Sequence, residues 1–191
     1  ETVTIHGNTA IRNAFERNGY AKKKGTYVHE SRGMINGYNV YDQSSEYTVH
    51  KPFETFTAGK YVVTALPAKH IPEENCFIYL VREGDKTLLY ATDTGYFKRS
   101  VFDYFVKNGI KLDAMIVDST YGLVCSSDKA HMNFFDNDEL RKELMSLGII
   151  DEKTQCYLTH IFHGAAKDLD LLEKAVPEGY TLLRDGYTFT I

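Results

Sequence analysis

The sequence predicts an α/β fold in which sheets pack together with helices outside. Three observations predict it. A strand-rich block runs from residue 47 to 66, and apolar strands alternate with amphipathic helices from residue 76 onward. Metal-ligating residue types also stand at the C-terminal ends of several apolar strands, the edge where open α/β folds collect their chemistry. The 191 residues fit a single domain, 1–191, with room for a core.

Thr2 to His6 alternates like a strand, and Gly7-Asn8 punctuates it. Asn8 is placed to cap a helix in which Ile11, Ala14 and Phe15 share a face. From Gly19 to Asp42, Gly, Lys, Asn and Tyr dominate, which reads as an irregular connection with one short strand near Thr26–His29. Tyr47–Lys51, Phe53–Thr57 and Tyr61–Leu66 read as strands, the last two joined by a tight turn at Ala58-Gly59. Cys76–Val81 and Thr87–Thr92 flank Glu83-Gly84-Asp85, a hairpin signal. Ser100–Asn108 places Val101, Phe102, Phe105 and Val106 on one side of a helix that Gly109 ends. Ala114–Val117 is a short apolar strand. Asn137 or Asp138 opens a helix with Leu140, Leu144 and Leu147 spaced for burial, and Gly148 closes it. Cys156–Thr159 is another buried strand, and Asp168–Val176 a helix ended by Pro177. Thr181–Arg184 and Tyr187–Thr190 read as a last hairpin around Asp185-Gly186.

Composition narrows the function. Apolar residues at 43% and charged residues at 25% are those of an ordinary soluble globular protein. A net charge of -4 gives no electrostatic reason to expect nucleic acid as a partner. Lys22, Lys23 and Lys24 read as a solvated turn. Cys76, Cys125 and Cys156 are odd in number with no close pair, which implies a reducing compartment and a cytoplasmic location. No apolar run approaches the roughly 20 residues that span a bilayer, and no secretory signal is visible, so no membrane partner is expected. The sequence begins at Glu1 and enters Val3-Thr4-Ile5 almost at once, so it reads as a piece of a longer chain or a processed product.

Several residues are candidates for chemistry. His70 follows a strand and is flanked by Pro67 and Pro72, which stiffen the loop that would hold a ligand; the alternative is a surface-loop histidine. Asp93 ends the apolar run Leu88–Thr92, where a buried carboxylate needs partners; a metal would satisfy it, and a turn aspartate before Thr94-Gly95 is the other reading. Asp118, in Val117-Asp118-Ser119-Thr120, holds the same position on the next strand and could orient a ligand histidine or bond local backbone. His160 and His163 stand three apart after a strand, so one could bind metal while the other contacts substrate. His131, in a polar stretch before a helix, could act as general acid for a leaving group. His6, His29 and His50 lack such context and read as structural or surface residues.

The order of His70, Thr92-Asp93-Thr94-Gly95, Val117-Asp118-Ser119-Thr120 and Leu158-Thr159-His160-Ile161-Phe162-His163 resembles the metallo-β-lactamase-fold hydrolases. The subgroup it resembles most is the phosphoribosyl cyclic phosphate phosphodiesterases of phosphonate breakdown, with tRNA-processing ribonuclease Z-type enzymes sharing much of the pattern. The resemblance implies an αββα sandwich. It implies that His70 is a ligand of a first metal and His160 of a second, with Asp93 bridging them. His131 would protonate the leaving oxygen, and His163 would line the substrate phosphate. The cofactors would be two divalent cations, zinc or manganese, and the reaction hydrolysis of a cyclic or small phosphodiester by a metal-bound hydroxide.

The family's His-x-His-x-Asp-His signature, which supplies four ligands, does not occur in this sequence. The resemblance therefore implies an N-terminally incomplete domain, its open strand edges covered by self-association into a homo-oligomer or by the missing N-terminal segment. Two other functions remain open: a tRNA-processing nuclease, and a non-catalytic binding module of the same fold.

Overall fold

A computed structural model describes residues 3–10, 12–13, 20–23, 26–29, 34–35, 38–39, 44–126, 128–165 and 169–191. The chain divides into two units, Glu1–Pro52 with Glu73–Asn75, and Phe53–Pro72 with Cys76–Ile191.

The first unit contains β1 (Val3–Gly7), β2 (Tyr20–Lys23), β3 (Thr26–His29), β4 (Met34–Ile35), β5 (Tyr38–Asn39) and β6 (Ser44–Val49). Four of them form a sheet in the order β1-β6-β3-β2, and β4 pairs with β5. The stretch read as irregular thus holds three strands besides β3, and Lys22 and Lys23 lie in a strand rather than a turn. Tyr-Ala-Lys-Lys carries no alternating pattern; its pairing with β3 imposes the extended form. The helical face of Ile11, Ala14 and Phe15, like Lys24, lies outside the described residues. His50 is buried, its Nε2 is 2.9 Å from Nδ1 of His6, and the two rings stack. Burial first, and His50 second, hold the His6 imidazole below its ordinary pKa.

The second unit is built on one seven-stranded sheet. Its strands are β7 (Thr55–Ala58), β8 (Tyr61–Pro67), β9 (Phe77–Glu83), β10 (Lys86–Ala91), β11 (Ala114–Asp118), β12 (Gln155–Thr159) and β13 (Tyr180–Leu182), and they lie in the reverse of chain order, β13 to β7. Strands β7 to β10 are joined as antiparallel neighbours. From β10 to β13 the pairings are parallel, and each crossover carries a helix: α1 (Arg99–Lys107), α2 (Phe134–Ser146) and α3 (Leu169–Ala175).

One face of this sheet carries the core. Leu80, Leu89, Met115 and Cys156 are successive register partners, as are Ala91, Val117 and Leu158, so they share a face. All are buried, together with Val101, Phe102 and Phe105 of α1, Leu140 and Leu144 of α2, and Leu172 of α3. Each such large side chain contributes about 1.5–3 kcal/mol on leaving water. Val106, read as part of the same stripe, is instead 55% exposed. Gly109 and Gly148 end α1 and α2 with φ of +59° and +64°, a conformation costly for other residues.

Strand β6 (Ser44–Val49) and strand β7 (Thr55–Ala58) are shifted by one to three residues from the sequence reading, and two larger differences follow. Helix α2 opens at Phe134, not at Asn137 or Asp138. The Asn133 side chain accepts from the Asp136 N–H at 2.9 Å, and the Asp136 carboxylate accepts from the Asn133 N–H at 3.2 Å. Asn137 is buried inside the first turn, and its Nδ2 donates to the Asp118 carbonyl at 2.9 Å, fastening α2 to the end of β11. The last hairpin does not form either. β13 pairs with β12, while Tyr187 and Phe189 lie against Tyr157 with ring centroids 5.9 and 4.4 Å away. The aromatic residues thus cover the sheet instead of extending its edge. Among the described residues no helix is long and apolar enough to cross a membrane.

Candidate metal centre

The pairing pattern decides where the candidate residues meet. β10, β11 and β12 are mutually parallel, so their C-terminal ends share one edge of the sheet. β8 is antiparallel to β9, and β9 to β10; two reversals restore the direction, and β8 ends at the same edge. His70, Asp93, Asp118 and His160 follow or end these four strands, so numbers far apart in sequence converge.

Neighbouring strands are about 4.8 Å apart, so β10 and β12 stand roughly twice that distance from each other across β11. Two backbone features bring their residues together. Asp93 has φ +51° and His160 φ +68°, half of the four described non-glycine residues with positive φ. A left-handed residue turns the chain sharply at a strand end, and Asp and His tolerate that conformation better than most residues. Such strain costs of order 1–3 kcal/mol and persists only where surrounding structure holds it. The result is that His160 Nε2 lies 3.4 Å from Asp93 Oδ1, and His70 Nε2 lies 3.9 Å from the same oxygen.

Beneath them sits Asp118, with no solvent exposure. Its Oδ1 accepts the N–H groups of Thr120 at 2.9 Å and Met132 at 3.2 Å. Its Oδ2 is 2.8 Å from His131 Nδ1 and 3.5 Å from His160 Nδ1. Thr120, buried as well, places Oγ1 3.0 Å from His131 Nδ1 and 2.8 Å from His160 Nδ1. The His131 and His160 rings stack, with centroids 5.6 Å apart, and the His70 ring meets His131 edge-on at 4.8 Å.

The loop that returns His131 to this edge is pinned. Tyr121 Oη donates to Asp128 Oδ2 at 2.8 Å, and the Ala130 N–H donates to Asp128 Oδ1 at 2.9 Å. The Ala130 N–H first, and the Tyr121 hydroxyl next, hold the Asp128 carboxyl below its usual range. The Ala130 carbonyl in turn lies 3.3 Å from His70 Nδ1. Thr94 and Gly95 tie the His70 and Asp93 loops together, since the Lys69 N–H donates to Thr94 Oγ1 at 2.9 Å and the Gly95 N–H donates to the Lys69 carbonyl at 2.8 Å.

Gly95 also lies directly under the His131 loop. A Cβ there would fall 1.8 Å from the Lys129 carbonyl oxygen, a backbone atom that cannot rotate away. Gly95→Ala is expected to push residues 129–131 outward, costing roughly 1–3 kcal/mol. The melting temperature should drop by about 2–4 °C for each kcal/mol lost. A melting curve matching the wild type's would contradict this packing.

Among the described residues, Asp93, Asp118, His131 and His160 form a group that could hold a metal ion, with ligand atoms within 4.8 Å of one another. The structure adds His70 at the Asp93 carboxylate. His163 lies in the turn after β12, exposed, and lines a cleft of about 660 Å³ with His160, Leu182 and Arg184. Thr120 was not singled out by sequence reasoning; its signal was its place two residues after a strand-end aspartate.

No family model and no curated protein matches the sequence. Solved structures do match in fold. The metallo-β-lactamase fold protein YhfI from Bacillus subtilis is 21% identical, with a TM-score of 0.63 over 97% of this chain and 64% of its own. Zn²⁺-bound PqqB from Methylobacterium extorquens is 12% identical, with a TM-score of 0.56 over 98% of this chain and 64% of its own. The short form of human tRNase Z is 15% identical, with a TM-score of 0.53 over 86% of this chain and 62% of its own. The chain thus spans less than two thirds of the length of each of these structures. Strand-end residues meeting at one sheet edge and these three structural likenesses lead to one conclusion: the chain has the metallo-β-lactamase fold.

Proposed function

We propose that this chain belongs to a metal-dependent hydrolase, a phosphodiesterase acting on a cyclic or small phosphodiester and nearest to the phosphoribosyl cyclic phosphate phosphodiesterases. The observation that carries the reading is the pair of imidazole Nε2 atoms facing Asp93 Oδ1, at 3.4 Å from His160 and 3.9 Å from His70. Ligand atoms around a tetrahedral ion with bonds of ~2.1 Å are about 3.4 Å apart, so the donor set fits zinc, and manganese suits the same imidazole and carboxylate groups. His70 and His160 would hold two divalent ions with Asp93 between them. A divalent ion here supplies Lewis acidity to phosphate oxygens and lowers the pKa of water.

The chain's own residues divide the remaining work. Asp118 accepts the His131 Nδ1–H and would support the imidazolium form of the ring, whose Nε2–H is the proton handed to the leaving oxygen. His163, on the wall of the cleft beside His160, would contact the substrate phosphate. The remaining ligands would come from a His-x-His-x-Asp-His segment outside these 191 residues, and the open strand edges would be covered by that segment or by a second copy. A tRNA-processing nuclease would need a basic surface to grip RNA, which a net charge of -4 does not favour.

The test is metal analysis and turnover of bis(4-nitrophenyl) phosphate by the full-length gene product. Two equivalents of transition metal with turnover are expected; no metal and no turnover would reject the reading. The second reading, a non-catalytic binding module, is favoured by the lack of the signature run in the sequence, and it predicts that Asp93→Ala changes nothing measurable.

A further inference from the structure

The hydroxyl of Thr120 is shared by two imidazoles that the hydrolase reading assigns to different tasks. Its Oγ1 is 2.8 Å from His160 Nδ1 and 3.0 Å from His131 Nδ1. Proton accounting narrows what it can do. Buried Asp118 spends Oδ1 on two backbone N–H groups, so Oδ2 is the acceptor for His131 Nδ1, at 2.8 Å. A ring nitrogen carrying that hydrogen has no lone pair to receive another, so Thr120 cannot donate to His131.

The tautomer of His160 is decided by what faces its two nitrogens. Nδ1 faces Thr120 Oγ1 at 2.8 Å and the fully buried Asp118 Oδ2 at 3.5 Å. Among the described residues, Nε2 faces the half-exposed carboxylate of Asp93, at 3.4 Å. Two oxygens able to accept lie on the buried side, one of them a hydroxyl (which can also donate) at full hydrogen-bonding distance, against one longer contact at the solvent edge. We infer that Thr120 is a positioning residue: its hydroxyl oxygen accepts the Nδ1–H of His160 and so keeps the Nε2 lone pair turned toward Asp93, in line with the His131 ring stacked beside it. The backbone holds Thr120 for this task, because its N–H is bound by Asp118 and its carbonyl accepts the Phe162 N–H at 2.9 Å. The segment carrying Thr120 is thereby tied to the one carrying His160.

This inference rests on the metal-hydrolase reading for its purpose but not for its geometry, and the test separates the two. Long-range ¹H–¹⁵N correlation spectra of the metal-free protein report each ring's protonation and tautomer directly. Wild type and Thr120→Ser are expected to show His160 protonated on Nδ1. Thr120→Val keeps the side-chain shape without the hydroxyl, and its His160 is expected to move toward the Nε2-protonated form while His131 stays on Nδ1. Zinc titration is the second readout. Loss of a partner that orients a ligand typically weakens binding 10–100-fold, so Thr120→Val should fall by about that factor and Thr120→Ser by less than about threefold. An Nε2-protonated His160 in the wild type, or a Val variant with an unchanged tautomer, overturns the inference whether or not metal binds. A wild type that shows the Nδ1 tautomer yet binds no metal would instead count against the hydrolase reading.

Discussion

Asp93→Asn is expected to abolish metal-dependent turnover while leaving the protein as stable as the wild type or slightly more so. The substitution keeps the shape of the side chain and removes the charge that lies between His70 Nε2 at 3.9 Å and His160 Nε2 at 3.4 Å. Losing a residue that merely orients a ligand weakens metal binding 10–100-fold; losing a carboxylate ligand should exceed that, so zinc affinity should fall by at least about a hundredfold. Stability should move the other way. Asp93 holds φ +51°, which asparagine and glycine accept more readily than other residues. Asp93→Gly should therefore relieve about 1 kcal/mol of strain, whereas Asp93→Ala should keep the strain and lose the function too. Calorimetric zinc titration and melting curves of the three variants separate these effects. Unchanged zinc affinity in Asp93→Asn would remove Asp93 from the metal centre.

Asp118 carries the largest expected structural effect. It is fully buried and accepts from Thr120 N–H, Met132 N–H and His131 Nδ1. Asp118→Ala strands those donors in a space where water does not reach. At ~1–3 kcal/mol for each of the three unsatisfied donors, the total is roughly 3–9 kcal/mol, or a melting temperature lower by at least about 6 °C. Asp118→Asn separates architecture from chemistry. Its amide oxygen can still accept the two backbone N–H groups, but its NH₂ then faces His131 Nδ1 and favours the opposite tautomer. The melting temperature should fall little, while turnover should fall by about 10²–10⁴-fold, the usual contribution of a positioned acid. Equal losses of stability in the two variants would mean that Asp118 is only a structural anchor.

Much of the sheet edge was legible because the apolar runs of β8, β10, β11 and β12 each lead into a residue that can bind or orient a metal. Knowing that four runs end in His70, Asp93, Asp118 and His160 was enough to suspect a centre there. What the residues alone did not carry was the tertiary response to them. The positive φ of Asp93 and His160 leaves no mark on the sequence beyond residue types that tolerate it. Thr94-Gly95 supported a turn aspartate as one of two readings of Asp93, and nothing in it shows that Gly95 is required by the Lys129 carbonyl packed against it. Thr120 has no chemistry of its own, so its place beside two histidines is visible only in three dimensions. The leucine spacing alone put the start of α2 at Asn137 or Asp138, although Asn133 and Asp136 already spelled a capping box. The final Asp185-Gly186 turn is local and was read correctly as a turn. Whether the chain beyond it pairs is a tertiary matter, since Tyr187 and Phe189 pack against Tyr157 instead.

The most direct measurement is anomalous diffraction at the zinc absorption edge from crystals of the protein grown with zinc. A peak within about 2.0–2.2 Å of both Asp93 Oδ1 and His160 Nε2 is the predicted result. A zinc-saturated crystal with no peak there, and with Asp93 and His160 still facing each other directly, would contradict the account.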